Sequence, residues 1–404
     1  MKFRMIARVA SLTLLGMTAA CGGSGDGSSP TRTGSQARSV DAGESYTIGM
    51  FAPLTGFAAG DGESARTAAK LAVDMVNASG GVDGKTVTLK VYDDASKPDQ
   101  AATLIRKMIQ QDKVDVVVSG SYSAQTRAVA PVVAQANKLM LVGYAVDPVI
   151  TAAGPSIWRV GELATIQGKV AGEVVTGKLG AKKVAILQVD NDFGSSLVSS
   201  FKPYIESKGA KVVYEAKYPI AEKDYRAVLA SAAAANPDVI YAPGYYNNAA
   251  DILKQAQETG VNAQIVGVEG YDSPDLIKLA GPAANGVIIT TELNRDSDSE
   301  AVKRFIAAYE VASGGRPADA VGAEVYDATL IAMDALKRAG SNETDKLVSA
   351  LKSHSNSEFA ESVTGITGFD SKRNAIRPGL AQIVKNGEFH FYAAFTDPAV
   401  IKAE

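Results

Sequence analysis

The chain is 404 residues long, with 46% hydrophobic residues, 21% charged residues and a formal net charge of −3. At roughly 150 residues per domain this length suggests two domains, each able to bury a sizeable core. The slightly acidic balance, with no dense basic patch in either half, argues against nucleic acid as a partner.

In chain order, the first feature is a leader. Lys2, Arg4 and Arg8 form a positive head, and residues 9–20 are a short apolar run that ends in small residues before Cys21. This reads as a secretory signal, too short to span a bilayer as a mature helix. Cys21 is the only cysteine in the sequence, so no intramolecular disulfide is possible. A lone thiol directly after Met17-Thr18-Ala19-Ala20 resembles the lipobox of bacterial lipoproteins, with Thr18 where Leu is usual. The resemblance implies a signal peptide over 1–20 and a lipid on Cys21; an ordinary signal peptide with a chance cysteine is the other reading. Residues 21–45, rich in Gly, Ser, Thr and Pro, then read as a flexible tether holding the folded part off a membrane.

From Tyr46 the chain alternates strand and helix signals. Residues 46–50 predict a strand, 63–77 a helix, 86–92 a strand, 97–111 an amphipathic helix, and the run VDVVVS from Val114 a buried strand. Helical spacing over 123–135 and a strand at 139–142 follow. The series then restarts: helices at 166–178, 195–208, 225–235 and 249–259 interleave with strands at 184–189, 211–218, 239–242 and 264–268. Two successive series of this kind imply two α/β lobes with parallel sheets. The pattern turns helical over 301–311, 318–338 and 344–352, and Asn386-Gly387 between apolar runs signals a terminal hairpin.

Ligands of open parallel sheets bind beyond the carboxyl ends of the strands. At one such end Ser121 and Ser123 stand where a helix begins, so hydroxyls and free backbone N–H groups could cradle a carboxylate. Alternatively, Ser123 caps its own helix. Glu269 follows the apolar run QIVGV at another strand end, where a carboxylate suits a ligand ammonium or is simply a solvated loop residue. Tyr144, Phe193, Tyr245, Tyr246 and Tyr271 supply rings at strand ends, as a small amphiphilic ligand requires. Catalytic and metal chemistry find little support. The two histidines, His354 and His390, have neither triad partners nor metal-ligand spacing. Gly84-Lys85-Thr86 lacks the first glycine and the following helix of a phosphate loop, and Asp93-Asp94 fits capping better than a cation site. No enzyme, cofactor or metal is therefore expected.

The segments GMFAPLTG, VNASGGVDGK, VYDDASKP, GYYNNAADILKQAQETG and VGVEGYDSPDL, in this order, resemble the branched-chain amino-acid binding proteins of ABC importers, which are type 1 periplasmic binding proteins. The likeness runs from about Tyr46 to the C-terminus. It implies two Rossmann-like lobes, 46–164 plus 296–376 and 165–295 plus 377–404, joined by a three-strand hinge near Thr165, Arg295 and Arg377, and closing like a clamshell. It implies a ligand carboxylate on Ser123, further contacts from Tyr144, Ala145 and Val146, aromatic walls at Phe193 and Tyr245, and an ammonium on Glu269. Val146 stands where the family usually has Thr. Asp61 replaces a first-loop aromatic of some members, and Ser96 and Tyr122 replace a cysteine pair. The implied role is a monomeric, lipid-anchored extracytoplasmic receptor that hands an apolar amino acid to an ABC permease. A same-fold receptor for an aromatic carboxylate, amide or urea-like solute, or a secreted hydrolase, are the alternatives.

Overall fold

The structure, a computed structural model, describes residues 45–353 and 361–402. The leader, the tether, Cys21 and His354 lie outside these residues. The first sheet is built from β1 (Ser45–Ala52), β2 (Thr86–Asp93), β3 (Val116–Ser119), β4 (Leu139–Val142) and β5 (Ile157–Arg159). Between them run α1 (Ala59–Ala78), α2 (Pro98–Gln110), α3 (Ser123–Gln135) and the short α4 (Val149–Ala152). All five strands are parallel, in the order β2-β1-β3-β4-β5. Alternation along the strands divides the core into two layers. Ile48, Met50, Val116, Val118, Leu139 and Leu141 face one side of the sheet. Phe51, Val117, Met140 and Val142 face the other, with Ile105 and Met108 of α2 and Val129 and Val133 of α3.

The chain continues through α5 (Ala164–Glu173), which ends in a π-helical turn, β6 (Lys183–Val189), α6 (Asp192–Ser207), β7 (Lys211–Tyr218) and α7 (Arg226–Ala234). Then come β8 (Val239–Tyr241), α8 (Tyr246–Glu258), β9 (Gln264–Gly267), α9 (Pro274–Ala280) and β10 (Ile288–Thr291). Next, α10 (Glu300–Ala312), α11 (Ala320–Ala339) and α12 (Thr344–Lys352) return to the first sheet, where α11 packs against α1, β3 and β4. The ladder β11 (Gly368–Phe369) with β12 (Ala375–Ile376) precedes β13 (Gly379–Lys385), β14 (Glu388–Phe395) and the short α13 (Pro398–Ile401).

The second sheet has the order β14-β13-β10-β9-β8-β6-β7, parallel from β10 to β7, with β13 and β14 antiparallel at one edge. Its hairpin turns on Asn386 and Gly387, whose φ values of 53° and 79° are those of the turn that matches strand twist. The lobes thus share one strand order, and the sequence pattern anticipates most elements. β5 and β10 escape it: β5 has three residues, and in β10 the buried Thr290 and Thr291 interrupt the apolar run. α1 begins at Ala59, four residues before the periodicity suggests, and Gly62 lets its first turn lie against the loop that leaves β1. A Cβ there would stand 2.2 Å from the Pro53 carbonyl oxygen.

Arg159, fully buried at the end of β5, ties this framework to the loop after β4. It donates to the carbonyls of Ala145 and Asp147 and, at 3.1 Å, to Asn374 Oδ1. Burial lowers its guanidinium to about 10, offset in part by Asp147 and Glu269, so it stays charged at neutral pH. Replacing it orphans three acceptors at roughly 1 kcal/mol or more each. Arg159→Met is therefore expected to cost about 3 kcal/mol in urea unfolding; a loss below about 1 kcal/mol would show the loop held by other contacts.

Candidate functional site

In a parallel sheet of this order the crevice opens where the strand order reverses. In the first sheet that point lies between β1 and β3, and in the second between β6 and β8. The segments leaving these strands are residues 53–58 and 120–122 on one lobe, and 190–191 and 242–245 on the other. A small cavity lies among them, lined by Asp61, Tyr122, Ser123, Tyr144, Phe193, Tyr245, Glu269, Gly270 and Val321. A wider groove, lined by Pro148, Lys169, Tyr204 and Arg373 among others, contains none of these residues.

Seven of the residues singled out from the sequence therefore meet at one place. Ser123 is the first residue of α3, and Tyr122 is the N-cap without a side-chain cap bond. Ser123 does not cap its helix; its Oγ accepts the Val146 N–H at 3.2 Å. Ala145 and Val146 are buried but do not line the cavity, and the Ala145 carbonyl is taken by Arg159. Glu269 opens a 3₁₀ turn after β9 and is 5% exposed, so it is not a solvated loop residue. Gly270 makes that position reachable, since a Cβ there would lie 2.4 Å from the Gly244 carbonyl oxygen.

The rings form a continuous wall. Tyr122 stacks on Tyr245 at 4.7 Å and Tyr245 on Phe193 at 4.9 Å, so the stack runs from one lobe to the other. Tyr144 meets Tyr122 edge-on at 5.6 Å, and its hydroxyl donates to the Gly120 carbonyl at 3.0 Å. Phe57, which the sequence reading missed, meets Tyr245 edge-on at 5.3 Å. Its position in the loop after β1 was the available signal. Val321, in the first turn of α11, carried no signal at all. Tyr271 and Tyr246 fall outside the lining; the Tyr271 ring covers Gly267 of β9. Asp93 and Asp94 are occupied by turn hydrogen bonds to Thr55, Ala95 and Ser96. No group of side chains among the described residues is arranged to hold a metal ion.

The profile of the periplasmic binding protein family matches residues 45–387. The chain belongs to that family. This binding protein is 28% identical over 332 residues to the leucine-, isoleucine-, valine-, threonine- and alanine-binding protein of Pseudomonas aeruginosa, covering 82% of this chain and 87% of that one. Among solved structures, the leucine binding protein LivK of Thermotoga maritima superposes with a TM-score of 0.81 at 27% identity, covering 88% of this chain and 99% of that one. A solute binding protein of an ABC transporter from Rhodopseudomonas palustris BisB5, in complex with 3,4-dihydroxybenzoic acid, gives 0.79 at 28% identity, with coverage of 88% and 99%. The type 1 fold and the homology to branched-chain amino-acid binding proteins of ABC transporters stand on these likenesses.

The electrostatics of the binding protein's cavity are acidic. Glu269 is pushed well above the ordinary carboxyl range by burial and by Glu292, Glu324 and Glu162, with Arg159 opposing; its Oε2 has no hydrogen-bond partner. These neighbours form a cluster that sequence reasoning did not single out. Glu162, Glu292 and Arg377 sit where the chain passes between the two sheets, and Glu324 comes from α11. Gln167 donates to Glu292 at 3.1 Å, the Glu162 N–H to Glu324 at 3.2 Å, and Arg377 lies 3.8 Å from Glu324. Burial raises Glu292 to about 7 despite Arg377.

Asp61, 3% exposed, is likewise raised to about 7, by burial and by the Asp319 charge, against a hydrogen bond from Tyr122 at 2.5 Å and the charge of Arg316. A carboxyl whose folded pKa lies above its unfolded value keeps its proton when folded and releases it when unfolded. Stability is then lost as pH rises from about 4 to about 7, and the full cost is present above that. Asp61→Asn is expected to leave stability unchanged near pH 4 and to raise it by up to about 4 kcal/mol at pH 8. Urea melts of both proteins at the two pH values check this; an equal gain at both would assign the effect to packing.

Proposed function

We propose that the chain is an extracytoplasmic receptor that binds a small α-amino acid between its lobes and delivers it to an ABC permease. The observation that carries this reading is the pairing of Ser123 and Glu269 in one buried cavity. Ser123 Oγ and the N–H groups of the first turn of α3, at the positive end of the helix, take the carboxylate. Glu269, buried with one oxygen unpaired, takes the ammonium, and the bound cation pulls it back to its ionised form. The rings enclose the side chain. Each lobe contributes one half of this arrangement, so binding favours the conformation in which the lobes meet. Surface pairs such as Arg127 with Asp192 at 2.7 Å add little to closure at this exposure. That the site binds its ligand without transforming it is supported by the family to which the chain belongs.

A benzoate-like ligand, as in the Rhodopseudomonas relative, suits the rings but brings no cation to the unpaired oxygens of Asp61 and Glu269. The acidic lining favours a ligand that carries a cation. On this reading Glu269→Ala lowers amino-acid affinity by about 2–5 kcal/mol in calorimetry, and undiminished binding removes Glu269 from the role. In thermal shift, α-amino acids raise the melting temperature and hydroxybenzoates do not, because only a ligand of the native form stabilises it; the reverse pattern would favour the aromatic-acid reading.

The leader and Cys21 supply the address. A lipid on Cys21 would hold the receptor at the membrane on the tether, keeping it near its permease. In cells fed labelled palmitate, the full chain is expected to take up label and a Cys21→Ala variant to lose it. Label retained by the variant would place the lipid elsewhere.

A further inference from the structure

Asp61 is the residue of the cavity that the amino-acid backbone leaves unanswered. If Ser123 serves the carboxylate and Glu269 the ammonium, the zwitterionic half of the ligand is complete. Yet the cavity is also lined by a third group that demands a partner. Asp61 Oδ2 accepts from the Tyr122 hydroxyl, whereas Oδ1 is buried with no hydrogen-bond partner among the described residues. The charged and titratable groups around it are Asp319, Arg316, Asp275, Tyr122, Tyr144, Tyr245 and Tyr246. Arg316, the one cation among them, is already engaged by Asp275 at 2.9 Å and Asp319 at 3.5 Å, and donates to neither oxygen of Asp61. An unpaired carboxylate oxygen in such a place costs stability unless the ligand supplies a donor.

The rest of the lining defines what can reach it. Tyr122, Tyr144, Tyr245 and Phe193 leave a small space. A long basic side chain is too large for the small space that the rings leave beside the backbone half of the ligand. A branched aliphatic side chain fits the rings but leaves Asp61 Oδ1 buried and unpaired.

We propose that Asp61 is a specificity-determining residue and that the amino acid bound here has a short side chain ending in an N–H donor, a carboxamide or an ammonium. The inference rests on the amino-acid reading of the site and narrows it. It separates this receptor from the branched-chain specificity in the names of its relatives through one carboxyl in the first turn of α1.

Asparagine and leucine have nearly the same shape, so the comparison isolates the donor. Calorimetry on the full-length protein is expected to show L-asparagine binding at least tenfold more tightly than L-leucine, since a buried acceptor rejects an analogue without a donor. L-2,3-diaminopropionate distinguishes a charged from a neutral donor: tighter binding than asparagine assigns an ammonium, weaker binding a carboxamide. In Asp61→Leu the order inverts, with asparagine losing at least tenfold and leucine gaining. The wild-type comparison does not depend on the folding of that variant. Leucine equal to or tighter than asparagine in the wild type overturns the inference and leaves the amino-acid receptor intact. If none of the three amino acids binds, the receptor reading itself fails, and the inference with it.

Discussion

A carboxylate taken out of water without a counter-charge is the constraint around which this molecule is arranged. Glu269 lies in that condition, with three other buried glutamates close enough to oppose its ionisation and Arg159 alone favouring it. Such a group either holds its proton or waits for a cation. The surroundings are built to keep it there. Gly270 lets the turn settle against Gly244, the rings of Phe193 and Tyr245 keep water out, and Arg159 fixes the loop that faces it. The cost of this arrangement is borne by two large α/β cores.

The shared strand order of the two sheets explains why the site forms where it does. Each sheet has one place where neighbouring strands leave in opposite directions, and only there can loops part without steric conflict. When two such sheets face each other, their openings coincide. Asp61, Tyr122 and Ser123 come from one opening, and Phe193 and Tyr245 from the other. None of the five is near the others in sequence across the lobes, yet topology leaves them no other meeting point.

This is also why so much was legible from the residues. Buried parallel strands are apolar runs that end abruptly, so VDVVVS followed by Gly, Ser and Tyr marks both a strand and the mouth of a crevice. The serine at the helix start and the glutamate after QIVGV could be found by that rule. What escaped it was set by tertiary packing. Val321 reaches the cavity because α11 packs against α1, and nothing local in its segment announces this. The glutamates at the lobe crossings were equally silent, because a Glu after a short strand such as IITT reads as the start of a loop. The carboxyl of Asp61 was visible in the sequence; its unpaired oxygen was visible only in three dimensions.

The ring stack that joins the lobes has a consequence for transport itself. Tyr122 on one lobe and Tyr245 on the other attract each other directly, by about 0.5–1.5 kcal/mol for such a pair. That bias multiplies the resting population of shut receptors roughly two- to tenfold. Affinity benefits, because fewer molecules must be recruited from the open form. Discrimination suffers: a permease that reads only shape would meet more empty carriers that look loaded. The same aromatic contact that sharpens capture therefore sets a floor on futile encounters at the membrane.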